Sequence, residues 1–102
     1  MKDINEMYTD LEIIKEQYTD ITERILSDSA LKEFRFNLEN TFYSTSDSEN
    51  IRIETTFSGK IYSTNFKTKL FVYNSSIDNF ENFKSTIRAW LYDTLDFLVN
   101  VF

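Results

Sequence analysis

Ile51-Arg52-Ile53-Glu54-Thr55-Thr56-Phe57-Ser58-Gly59, continuing as Lys60 to Tyr73, is the stretch that decides the fold. Ile51, Ile53, Thr55 and Phe57 alternate with Arg52, Glu54 and Thr56, the period of a strand that buries one face. Gly59 is the single glycine of the chain and the natural site of a positive φ, so a turn is predicted at Ser58-Gly59. Alternation then resumes, with Tyr62, Phe66, Leu70 and Val72 on one face and Ser63, Asn65, Lys67 and Lys69 on the other. One apolar and one polar face describe an antiparallel sheet covered on one side only.

Upstream, Phe34-Arg35-Phe36-Asn37-Leu38-Glu39 alternates strictly and reads as another strand. Leu31, Phe34, Leu38 and Phe42 also suit a helix, and a short helical turn over residues 29–33 ahead of the strand reconciles the two patterns. The polar run 44–50 is a loop. At the N-terminus Ile4, Met7, Leu11, Ile14, Tyr18, Ile21 and Ile25 are spaced alternately three and four apart, one stripe of a helix over about residues 3–26 and equally the seam of a coiled coil. Ser27-Asp28-Ser29 ends it by competing for the backbone.

Downstream, Asn74-Ser75-Ser76 closes the last strand and is placed to cap a helix from about Ile77 to the end, with Asp78 and Glu81 in its first turn. Its stripe runs through Phe80, Phe83, Ile87, Trp90, Leu91, Leu95, Leu98 and Val101. The reading is a two-layer α+β fold: a long N-terminal helix, a three-stranded antiparallel meander and a long C-terminal helix, forming one domain over residues 1–102.

Composition mainly removes chemistry. The chain has 102 residues with no Cys, His or Pro, and ten Phe, six Tyr and one Trp supply a core. Without His or Cys there is no usual general base, no thiol nucleophile and no zinc site of the common kinds. One glycine excludes a phosphate-binding loop and a dinucleotide fingerprint. Ser29-Ala30-Leu31-Lys32 matches Ser-x-x-Lys but lacks the companion motifs of the serine enzymes that use it. Asp93 and Asp96 lie three apart on a helix with no further ligands in view and read as a solvated face. Neither a catalytic residue, a cofactor nor a metal is expected, and the chain is read as a non-enzyme.

The N-terminus carries acids where a signal peptide needs bases and an apolar run, and no stretch is apolar enough to span a bilayer, so a cytoplasmic protein without membrane contact is expected. Ile, Lys, Asn, Phe, Tyr and Met make up 44 of the 102 residues, while Gly, Ala, Arg and Pro total seven. That bias fits AT-rich coding, as in a low-GC bacterium, its phages or its plasmids.

Charge is unevenly spread. The chain has 17 acids, 11 bases and a net charge of −6, of which residues 1–30 carry −5, 31–76 carry +1 and 77–102 carry −2. The candidate partner-binding residues are therefore Asp10, Glu12, Glu16, Asp20 and Glu23 on the first helix, with Ile13 as an apolar anchor among them. A carboxylate-lined helix attracts basic surfaces, including the grooves that hold DNA or RNA. The expected function is a small acidic protein-binding inhibitor, encoded by a phage or mobile element, that blocks a host nucleic-acid-handling protein in the manner of anti-CRISPR and anti-restriction proteins. Its partner would be a host or co-encoded protein with a basic surface. The alternative is a homodimeric assembly or secretion chaperone, or a small structural subunit, paired through the seam from Ile4 to Ile25. Arg35, Arg52, Lys67 and Lys69 with Tyr43 on the uncovered sheet face resemble a single-strand reader's surface, but Glu39 and Glu54 share that face and direct nucleic-acid binding is not expected.

Overall fold

The computed structural model describes residues 3–27, 31–44 and 50–101. The elements are α1 (Ile4–Leu26), β1 (Phe34–Ser44), β2 (Ile51–Ile61), β3 (Thr64–Asn74) and α2 (Phe80–Val101), an α+β fold with one antiparallel sheet in the order β1-β2-β3. Most of the expected loop at 44–50, and Ser29 and Ala30 of the Ser-x-x-Lys match, lie outside the described residues. Among the described residues no helix is long and apolar enough to cross a membrane.

α1 starts at Asp3, whose carboxylate accepts the Glu6 N–H at 2.9 Å. Met7, Leu11, Ile14 and Tyr18 are buried as the stripe requires. The stripe then departs from its expected course: Thr22 and Leu26 are buried, whereas Ile25 is 45% exposed. A straight helix has 3.6 residues per turn, so a strict three-four seam drifts by about 20° per heptad and the buried line moves on to the next residues. Because this seam covers its own sheet, pairing two subunits through the same residues would mean opening the core.

The turn at 31–33 precedes β1, with the Phe34 N–H donating to the Leu31 carbonyl at 2.8 Å. β1 and β2 pair without irregularity, Leu38 opposite Phe57 and Phe42 opposite Ile53. The β2–β3 pair does not. Gly59 faces Lys67 while Lys60 faces Asn65, so Phe66 is one residue too many on β3. That bulge reverses the alternation. Phe71 and Tyr73 enter the core, and Leu70 and Val72, expected on the apolar face, are exposed on the open side. Gly59 is not in a turn either; it lies inside β2 and its φ is not positive. The hairpin turns at Tyr62-Ser63, where Tyr62 takes φ 56°. Gly59 is needed for space, since a Cβ there would come within 2.5 Å of the Phe66 ring.

α2 begins later than expected. Asn79 caps it, its side-chain oxygen accepting the Asn82 N–H at 3.1 Å. Asn74 instead accepts from the N–H and hydroxyl of Ser76, and the Asp78 carboxylate accepts from the Asn74 N–H, so residues 74–78 form a side-chain-locked turn.

Both helices cover one face of the sheet. α1 lies over β1, with the Tyr18 ring edge-on to Phe36 at 4.9 Å. α2 lies over β3, with Trp90 edge-on to Phe57 at 4.9 Å and to Phe71 at 5.7 Å. The helices run parallel, as Asp10 meets Lys84, and Ile14 and Tyr18 share a small cavity with Arg88 and Leu91. Ile53, Phe57, Ile87 and Leu98, all fully buried, mark the centre of the core.

Candidate interaction surfaces

The outward face of α1 is the surface the sequence singled out. At about 100° per residue, Glu12, Ile13, Glu16, Asp20 and Glu23 fall within an arc of roughly 100° opposite the buried stripe. Glu16, Asp20 and Glu23 are exposed, Glu12 is half-buried and Ile13 is 42% exposed. Among the described residues none of these four carboxylates makes an ion pair.

Asp10 does not belong with them. It turns toward α2, where its carboxylate meets the Lys84 ammonium at 3.0 Å. Lys84 also meets Glu81 at 3.1 Å, and its side chain is only 8% exposed. This buried lysine was missed in the sequence, although it sits four residues after Phe80 on the apolar stripe. Its long stem packs with that stripe, its ammonium lying 5.3 Å from the centre of the Phe80 ring, while two carboxylates hold the charge.

The uncovered sheet face lacks two of the cations expected on it. Lys67 and Lys69 stand opposite Gly59 and Phe57, on the helix side, because they follow the bulge. Lys67 lies 5.2 Å from the Trp90 ring centre and 5.5 Å from that of Phe97. Arg52 pairs with Glu54 at 3.0 Å on the open face, and Tyr43 is exposed beside it. Arg35 and Lys60, opposite each other on β1 and β2, also belong to the open face.

A third surface went unnoticed in the sequence. Between the C-terminal half of α1 and the start of β1 lies a cleft of about 600 Å³. Leu26, Leu31 and Phe36 are among its apolar walls, and among the described residues Lys15, Lys32 and Arg35 stand around it with the acid Glu23. Arg35 is held by its own backbone, one guanidinium nitrogen donating to the carbonyls of Lys32 and Phe34 at 2.8 Å each. In a chain of net charge −6 this is a local concentration of positive charge. Lys15 lies within the acidic helix, 17 residues before Lys32 and 20 before Arg35, so regional charge sums hid the group.

Asp93 and Asp96 are exposed on α2, and among the described residues no group of three or more His, Cys, Asp or Glu lies close enough to hold a metal ion. Compared with known proteins, the chain matches no family model, no curated protein and no solved structure.

Proposed function

We propose that this protein is a non-enzymatic inhibitor that lays the outward face of α1 on the basic groove of a nucleic-acid-handling protein. The observation that carries this reading is the row Glu12, Glu16, Asp20 and Glu23, unpaired among the described residues, with Ile13 in its midst. Residues four apart on a helix repeat every ~6 Å, so the row offers about one carboxylate per turn from a rigid rod. Such a row competes with phosphates for the same Arg and Lys side chains, and Ile13 adds a short-range apolar contact where charge alone would not fix the register. An inhibitor of the anti-CRISPR or anti-restriction type, carried by a phage or mobile element and acting in the cytoplasm, joins this surface to the acidic, AT-biased composition. Asp10 is left out of the interface, since its charge is already used against Lys84.

The test is capture from nuclease-treated lysate at low and raised salt. A nucleic-acid enzyme should be retained, elute as salt rises, and bind nucleic acid once the chain is removed. The triple variant Glu12→Lys, Glu16→Lys, Asp20→Lys should fold like the parent and lose at least about tenfold in affinity for that enzyme. Asp10→Asn is the internal control. It should bind as the parent does but lose about 1–2 kcal/mol of stability, less than for a fully buried pair because Glu81 still faces Lys84. Unchanged capture by the triple variant would sink the proposal.

A further inference from the structure

The outer edge of β3 is open in its middle and closed at both ends. The Ser75 N–H donates to the Ile51 carbonyl at 2.9 Å, and the register is regular from Arg52 opposite Asn74 to Phe57 opposite Lys69. Odd-numbered residues of this stretch therefore bond toward β2, and the N–H and C=O groups of Thr68, Leu70 and Val72 point away from the sheet. At one end Asn74 uses its outward groups internally. Its N–H donates to the Asp78 carboxylate at 2.8 Å, and its carbonyl accepts from the Ile77 and Asp78 N–H groups. At the other end the bulge at Phe66 interrupts the line. Between them lies a window from Thr68 to Val72. Thr68 and Lys69 are exposed there, and Leu70 and Val72 are 54% and 45% exposed.

The chemistry of the window says what fits it. Leu70 and Val72 flank the edge on the open side of the sheet, and Lys67 and Lys69 flank it on the helix side. β3 has no acid along its length in a chain that holds 17, and among the described residues neither lysine meets a carboxylate. Their ammonium groups lie near rings instead, Lys67 by Trp90 and Lys69 5.8 Å from the centre of Phe71. Lysines on an edge strand keep basic strands away and draw acidic ones in. A second copy of the chain does not suit this edge. Antiparallel pairing of two β3 strands would set two α2 helices over strands only ~4.8 Å apart, whereas packed helices keep about 8–10 Å.

We propose that Thr68 to Val72 is a β-augmentation site for an extended segment of a partner polypeptide in which acidic and apolar residues alternate. The segment adds antiparallel as a fourth strand and exchanges main-chain hydrogen bonds with Thr68, Leu70 and Val72. Residues opposite these three project on the open side and are the apolar ones, beside Leu70 and Val72. Those between them project on the helix side, toward Lys67 and Lys69, and are the acidic ones. α1 lies over β1 at the other edge of the sheet, so the site does not depend on the acidic face of that helix.

The test titrates capped heptapeptides into the whole chain and follows its amides by NMR. In the free protein the Leu70 and Val72 amides should exchange at least about tenfold faster than those of Phe71 and Tyr73, which bond to β2. A peptide of alternating Glu and Val should shift the Thr68, Leu70 and Val72 amides and slow their exchange. With the unaltered protein, N-methylation of its Val nitrogens, which face β3, should abolish binding, while methylation of its Glu nitrogens, which face solvent, should preserve it. Lys67→Glu with Lys69→Glu should weaken the Glu-Val peptide at least about fivefold. Leu70→Pro removes an outward N–H and no bond to β2, so it should weaken the peptide as much while the chain stays folded. Equal binding of a Lys-Val peptide, equal effects of the two methylations, shifts confined to residues outside β3, or no shift at millimolar peptide would each overturn the proposal. Because the acidic face of α1 is untouched in these variants, their capture of a basic target reports separately on the proposed inhibitor function.

Discussion

The Tyr18 hydroxyl is buried without a hydrogen-bond partner among the described residues, although its ring is well packed against Phe36 and Phe57. An unsatisfied buried hydroxyl costs about 1–3 kcal/mol, so the ring is retained for its packing and the oxygen is a burden. Burial also pushes the phenol well above the usual tyrosine range. The folded state then holds this proton more tightly than the unfolded state does. That contribution to stability is complete below the unfolded value of about 10 and is lost as pH climbs toward the folded one. Tyr18→Phe keeps the ring and has no proton to lose. It should be at least as stable as the parent near neutral pH, by up to about 1 kcal/mol, and its advantage should widen above pH ~10 in urea titrations. Tyr73, raised first by burial and then by the Asp78 carboxylate, still titrates, so the alkaline loss should shrink without disappearing. A variant less stable than the parent at neutral pH would show that the hydroxyl is hydrogen-bonded in solution.

At the scale of elements, β3 shows how one extra residue reorganises a face. Phe66 folds over Gly59 and meets Phe34 edge-on at 5.7 Å, so the bulge, the glycine and the two rings form one unit. Gly59→Ala should cost about 1–3 kcal/mol, since the new methyl overlaps the Phe66 ring in a packed site. Phe66→Leu should relieve most of that penalty, and a double-mutant cycle by thermal unfolding should give a coupling above about 0.5 kcal/mol. Additive losses would mean that the glycine is required by the backbone alone. The bulge also explains what was and was not legible. Strand identity over 51–57 and 64–73 follows from alternation, which survives any local error. The assignment of faces beyond residue 66 does not, because a single unpaired residue exchanges Leu70 and Val72 for Phe71 and Tyr73. The lone glycine misled for a related reason: glycine serves both turns and close approaches, and here Tyr62 bears the positive φ. On α1, the face holding Glu12, Ile13, Glu16, Asp20 and Glu23 was legible from helical period alone. The place of Asp10 was not, because it depends on Lys84, which is 74 residues away in sequence.

For the molecule as a whole, the decisive question left by the sequence was where the three-four seam of α1 goes. Spacing cannot answer it, since a helix lying on a sheet and a helix in a coiled coil bury the same stripe. The structure places Met7, Leu11, Ile14 and Tyr18 at 3% exposure or less, between β1 and α2. Leu11→Asp therefore removes a core side chain, at a cost of about 2–5 kcal/mol, and buries a carboxylate with no partner in its place. A domain of this size has about 5–15 kcal/mol of stability in total, so most molecules of the variant should be unfolded. Far-ultraviolet circular dichroism should lose strand and helix together, and the aromatic near-ultraviolet bands of the Tyr18, Phe57 and Trp90 cluster should collapse with them. A seam between subunits makes the opposite demand: the same substitution would halve the sedimenting mass and leave the sheet intact. Val99, on the outward side of α2 and 48% exposed, provides the contrast. Its substitution by Ser should change stability by about 1 kcal/mol or less, because this small side chain keeps much of its surface in water whether or not the chain is folded.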